Sequence, residues 1–197
     1  MLCSRINVLY VFLTLLLSRL KVKWCISLSD TLIVYGTRYR ATPEACAVIQ
    51  KILEEEFRHH VEIWDLKDWR ACPDLSDFDN IVIASGIEYG KWTENALKYL
   101  KSDFGDKKVA VFISSYYAGE EDLYEYAYEN FLVKVLEEYP NLKPIKIAAF
   151  GGRIPKKELP NYANEKVLSR MHDQQLDNRD WDKIESWARK IGEEFAK

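Results

Sequence analysis

Leu32-Ile33-Val34-Tyr35-Gly36-Thr37-Arg38-Tyr39-Arg40-Ala41-Thr42-Pro43 carries the reading of the fold. It opens with a short apolar run that ends at Gly36, the pattern of a strand buried on both faces. Pro43 stands where a helix begins, with Thr42 before it as N-cap. Beyond it Ala45, Val48, Ile49, Ile52, Leu53 and Phe57 recur at three- and four-residue steps and make one apolar helical face.

The same alternation continues outward. Val61-Glu62-Ile63-Trp64-Asp65 alternates as a strand near a sheet edge does, while Ile81–Ala84 and Val109–Ile113 are apolar throughout. A last strand, Ile145–Phe150, stops at Gly151-Gly152. Helical spacing joins them at Ala96, Leu97 and Leu100 and across Leu123–Leu136. It returns in a closing helix marked by Trp181, Ile184, Trp187, Ala188, Ile191 and Phe195, with Asp180 near its start. Strands separated by crossover-length connections demand a parallel sheet with helices on both faces, wound right-handed. No repeat or linker divides residues 30–197, so the expectation is one doubly wound α/β domain.

Composition sets the outer bounds. The chain has 197 residues, a net charge of -3 and interspersed acids and bases, so no basic excess points to a nucleic-acid partner. Cys3, Cys25, Cys46 and Cys72 form no CxxC pair and match no secreted disulfide framework, which reads as reduced thiols in a cytoplasmic protein. Residues 1–29 read as a leader. Val8–Leu17 is apolar, flanked by Arg5 and by Arg19, Lys21 and Lys23. A spanning helix needs about 20 apolar residues, so membrane contact is possible only through this segment and only as an association. The length also suits a signal-peptide core, but no small-x-small cleavage site follows and the cations after it oppose translocation. The third option is that translation begins later, at a non-Met codon such as Val22 or Leu28, because Met1 and Met171 are the sole methionines.

In a parallel α/β sheet, ligands bind beyond the carboxyl ends of the strands, at the switch point in strand order. Four stretches stand there: Gly36–Thr42, Ser85–Thr93, Ser114–Glu121 and Gly151–Pro155. In the first, the hydroxyls of Thr37 and Thr42 bracket a turn into a helix N-terminus, where unpaired amides and the helix dipole favour an anion. Arg38 adds a charged donor. In the second, Gly86 and Gly90 allow close approach of a ligand, and Tyr89 and Trp92 offer aromatic faces for a flat heteroaromatic ring. His59, His60 and His172 read as solvated residues away from this end.

Taken together, Tyr35-Gly36-Thr37-Arg38-Tyr39, Ser85-Gly86-Ile87-Glu88-Tyr89-Gly90, Phe150-Gly151-Gly152-Arg153-Ile154 and Asn178-Arg179-Asp180-Trp181 resemble the flavodoxin family. The similarity is closest to its flavodoxin-domain branch that includes menaquinone-dependent protoporphyrinogen IX oxidase, and it runs from about Thr31 to the C-terminus. The resemblance implies a flavodoxin-like three-layer sandwich with a five-stranded parallel sheet of order 2-1-3-4-5. It also implies FMN. The phosphate would lie on Thr37, Arg38, Tyr39, Arg40, Ala41 and Thr42. The ring would lie between Ser85, Gly86, Ile87, Glu88, Tyr89, Gly90 and Trp92 on one side and Ser114, Ser115, Tyr116, Tyr117 and Gly119 on the other. The activity implied is electron transfer or flavin-dependent oxidoreduction, with a redox partner protein or a quinone or tetrapyrrole substrate. Arg40 departs from the pattern, since it stands where the family usually has glycine. The polar stretch Pro160–Asp177 also lacks a membrane-facing stripe.

Two readings of other classes compete. A receiver-type signalling module needs an acidic phosphoacceptor where Ser85 stands and metal-binding acids where Gly36 stands, so the residues oppose it. An interaction module that has lost the flavin on the same fold rests on Arg40 alone.

Overall fold

The apolar run Leu32–Tyr35 lies within strand β1 (Asp30–Gly36), which has a neighbouring strand on each side. In the computed structural model, which describes residues 29–38, 40–154 and 177–197, β1 pairs in parallel with β2 (His60–Asp65) and β3 (Asn80–Gly86). Strands β4 (Lys108–Ser114) and β5 (Lys146–Phe150) lie beyond β3, giving the expected order 2-1-3-4-5. The register places the loops. Gly36 pairs with Ser85, Gly86 with Ser114, and Ser114 with Phe150, so the strands end on one line and their loops meet there.

Successive side chains of a strand point to opposite faces, and the core divides accordingly. Ile33, Val82, Ala84, Ala110 and Phe112 pack under α1 (Ala41–Phe57) and the C-terminal helix (Trp181–Phe195). Leu32, Val34, Ile81, Ile83, Val111 and Ile113 face the opposite layer. That layer holds α2 (Glu94–Tyr99), a 3-10 turn (Tyr116–Gly119), α3 (Tyr124–Ala127), a π-helical turn (Tyr128–Val133) and α4 (Lys134–Glu137). The C-terminal helix is therefore α5, and Asp180 caps it by accepting from Lys183 N at 3.0 Å. The helical pattern read across Leu123–Leu136 is real but interrupted by the π turn.

Two local expectations change. Thr42 is not the N-cap of α1: Arg40 takes that place, so Thr42 lies within the first turn. His59 is not solvated. It is 6% exposed at the amino end of the sheet, with Nδ1 2.8 Å from Thr31 Oγ1 and its ring stacked on Phe195. His60 is exposed and sits 3.1 Å from Asp30. His172 and the leader reading of residues 1–29 fall outside the described residues, except Ser29. Among the described residues, no helix is long and apolar enough to cross a membrane.

Burial holds the His59 pKa below 6.5, Asp79 opposes the shift and Lys108 adds to it. The folded state thus disfavours the protonated ring. Once pH falls below 6.5, the unfolded chain takes up more protons, and the stability present at higher pH is lost. The thermal midpoint should fall between about pH 7.5 and pH 5.5, and His59→Asn should flatten the slope. A slope unchanged in that variant assigns the pH dependence elsewhere.

Candidate functional site

Because the strand ends align, four loops enclose a cavity of about 350 Å³ at the carboxyl edge of the sheet. From the first loop come Thr37, Arg38, Ala41 and Thr42. Arg40 makes the turn with φ 63°, ψ 0°, the left-handed conformation that glycine adopts freely. An arginine holds it at a cost of about 1–2 kcal/mol, so the departure from the family pattern preserves the backbone turn. The Arg40 side chain is exposed and does not line the cavity, and Tyr39 lies outside the described residues.

Thr42 is fully buried at the cavity wall, yet its Oγ1 has no hydrogen-bond partner among the described residues. A buried unpaired hydroxyl costs about 1–3 kcal/mol, which marks a group waiting for a ligand acceptor. A Cβ placed on Gly86 would stand 3.0 Å from Thr42 Oγ1 and 3.5 Å from Thr37 Oγ1, so both hydroxyls converge on the face that glycine leaves open. The backbone N–H groups of Ala41 and Thr42, which open α1 at the cavity, lack intrahelical partners, while Pro43 after them has no N–H to offer. Hydroxyls, amides and the dipole together suit a phosphate.

The loop after β3 is a two-residue hairpin. Glu88 N donates to Lys91 O at 3.0 Å and Lys91 N to Glu88 O at 2.9 Å, with Tyr89 at φ 49° and Gly90 at φ 75°. Positive φ at both central positions matches the strand twist and projects Tyr89, 58% exposed, at the cavity mouth. Gly86, Ile87, Glu88 and Gly90 also line the cavity. Glu88 Oε2 lies 2.7 Å from Arg38 Nε, tying this loop to the first.

Ser85 and Trp92 do not line the cavity as expected. Ser85 Oγ accepts from Thr93 N at 3.2 Å and donates to Gly86 O, which fixes the loop from behind. Trp92 is 5% exposed in the core, and its Nε1 donates to the Phe131 carbonyl at 2.5 Å. Burying that indole outweighs presenting it, because its area is large and its one donor finds a partner inside.

Ser114, Ser115, Tyr116 and Tyr117 line the cavity after β4, but Gly119 turns away against Asn178. Thr93 and Gly152–Ile154, which lie in two of the strand-end stretches though not among the residues assigned to the flavin, complete the lining together with Tyr126 and Phe131, which the sequence did not point to. The rings form a cluster, with Tyr117 6.0 Å from Phe131 and Tyr126 edge-on to it at 5.5 Å. Tyr126 and Phe131 are five positions apart, off the three- and four-residue repeat of an α-helix, and the intervening π turn brings them together. Arg153 has a signal in the sequence, a cation directly after a strand-end glycine pair. Its Nη2 is 3.0 Å from Glu44 Oε1, while Arg179 Nη1 holds Glu44 Oε2 at 2.6 Å. The Arg179 hydrogen bond, with Arg153 beside it, keeps the Glu44 carboxyl below its usual range.

The chemistry available is recognition: one end offers the unpaired Thr42 hydroxyl to an anion, and the other is lined by aromatic rings. Among the described residues, no cluster of three or more His, Cys, Asp or Glu side chains could hold a metal.

Comparison with known proteins bears on the family and the fold. The family model described as flavodoxin domain matches residues 32–179. No curated protein matches the chain. Among solved structures, the rubredoxin:oxygen oxidoreductase of the anaerobe Desulfovibrio gigas gives a TM-score of 0.50 at 14% identity, covering 85% of this chain. A flavo-diiron protein mutant from Thermotoga maritima gives 0.51 at 11% identity, also over 85%. This chain spans 36% of the length of each. The oxidised flavodoxin of Bacillus cereus is matched over its whole length and 73% of this chain, with a TM-score of 0.46 at 16% identity.

Proposed function

Since the chain belongs to the flavodoxin-domain family, we propose that it is an FMN-binding redox protein whose flavin lies in the cavity beyond β1, β3 and β4. The unpaired Thr42 hydroxyl carries this reading, because an apolar side chain would be more stable there unless an acceptor arrives. FMN, when bound, supplies the capacity to take up and release electrons. Thr37, Thr42 and the first-turn amides of α1 would hold its phosphate. Gly86 keeps that space open, and Ile87, Tyr116 and Tyr117 exclude water from the apolar part. Arg38 offsets the negative charge that Glu88 brings to the mouth. A redox partner protein would approach from the side where the exposed rings of Tyr89 and Tyr126 lie.

A second reading has its own support. Tyr89, Tyr126 and Arg153 all line the cavity, a set suited to a large ring that bears carboxylates, as in menaquinone-dependent protoporphyrinogen IX dehydrogenase. Full-length protein incubated with FMN and desalted should keep flavin absorbance near ~450 nm. A folded, colourless protein overturns the FMN reading. Protoporphyrinogen oxidation with a menaquinone analogue by the flavin-loaded protein favours the enzyme. Rapid exchange with a redox protein and no tetrapyrrole turnover favours the shuttle.

A further inference from the structure

Asn178 belongs to a motif that the flavin cavity does not use, since its side chain does not line that cavity. It nevertheless joins two of the cavity's walls. Its Oδ1 accepts from Gly152 N at 3.0 Å, and its own backbone N donates to Gly152 O at 3.1 Å. Its Nδ2 donates to the Tyr116 carbonyl at 2.8 Å and to Glu120 Oε1 at 3.0 Å. The amide orientation is dictated by the partners: an N–H on one side demands an acceptor, and two oxygens on the other demand donors.

Three glycines leave the room this requires. A Cβ on Gly119 would overlap the Asn178 side chain, and one on Gly151 would overlap its backbone carbonyl. A Cβ on Gly152 would press to 2.9 Å against the Ser115 backbone. Arg153 pairs with Asp177 next door, in an antiparallel bridge. The contacts reach 26 and 62 positions along the chain. Strand pairing joins the two segments at their roots, where Ser115 N donates to Phe150 O. Beyond that point, the Asn178 fork ties Gly152 to Tyr116 and Glu120.

We propose that Asn178 is a positioning residue for the flavin: it sets the distance between the Tyr116–Tyr117 wall and the Gly152–Ile154 wall. The inference rests on the FMN reading for its consequence, while the positioning itself is testable without cofactor. An amide meets both demands, an acceptor for Gly152 N and a donor for Tyr116 O. Asn178→Asp keeps the size but turns a carboxylate toward the Tyr116 carbonyl and Glu120. Asn178→Ala removes both bonds.

Two measurements test this on the full-length protein. Hydrogen exchange of the flavin-free protein should accelerate in Asn178→Ala over residues 116–120 and 150–154 together, leaving the β1–β3 amides unchanged. FMN titration should show affinity falling about 10-fold in both variants, the loss of roughly one hydrogen-bonded constraint, with an altered visible circular dichroism of the bound flavin. In Asn178→Asp, adding Glu120→Gln or lowering the pH should restore part of the affinity, because a donor then faces the carboxylate or the protonated acid donates to Tyr116 O. Unchanged exchange in both segments overturns the proposal. So does flavin affinity and dichroism equal to wild type in both variants. Failure of the wild type itself to bind FMN overturns the FMN reading instead, and the exchange result alone then decides the role of Asn178.

Discussion

Thr42→Val should stabilise the flavin-free protein and weaken its hold on FMN. The threonine is fully buried in the first turn of α1, with a hydroxyl that has no partner among the described residues. Valine has nearly the same shape, so the exchange removes an uncompensated desolvation cost of about 1–3 kcal/mol without opening a cavity. A gain of about 1 kcal/mol would raise the midpoint of a domain this size by about 2–4 °C. The bound state changes the other way. A hydrogen bond to a charged acceptor contributes about 1.5–3 kcal/mol, so FMN should bind roughly 10- to 150-fold more weakly. Calorimetric melting of the flavin-free form and fluorescence titration with FMN measure the two signs separately. A fall in stability would mean that the hydroxyl already has a structural partner, and an unchanged FMN affinity would mean that the phosphate site lies elsewhere.

Phe112→Ala should produce the largest loss of stability from a single truncation. The ring is fully buried on β4, 5.3 Å from Phe150 and 5.7 Å from Trp187, beneath the α1 and α5 layer. Deleting a buried phenyl group in packed surroundings costs about 3–5 kcal/mol, part lost transfer energy and part residual cavity. That is a large share of the roughly 5–15 kcal/mol that holds a domain folded. Urea unfolding gives the difference directly. The side chain lies off the cavity lining, so FMN affinity per folded molecule should stay near wild type. A loss below about 1 kcal/mol would mean that the α1–α5 layer collapses readily into the space.

These two positions differ in how far the sequence exposes them. Phe112 sits in an apolar run whose length and flanks define a buried parallel strand, so its place in the core comes from pattern. Thr42 was legible as part of a turn into a helix, and its loop lands at the sheet's carboxyl edge because parallel topology leaves no other place. Its unpaired state was not legible, because that depends on every atom packed around the hydroxyl. Trp92 shows the opposite failure. On a glycine-containing loop it reads as a ring for stacking, but the hairpin turn at Tyr89 and Gly90 sends the next residues back inward, where Phe131 offers a carbonyl.

Periodicity and turn residues act over a few neighbours, and they were enough to dictate the alternation, the five strands, the parallel winding and the loops that meet at the cavity. Tertiary structure alone decided which side chains of those loops face inward. Tyr126 and Phe131 meet through a π turn. Gly119 yields its place to Asn178, and Arg153 reaches Glu44 across 109 positions. Each of these depends on packing that the simple strand and helix periods do not encode, and the last two join segments remote in the chain.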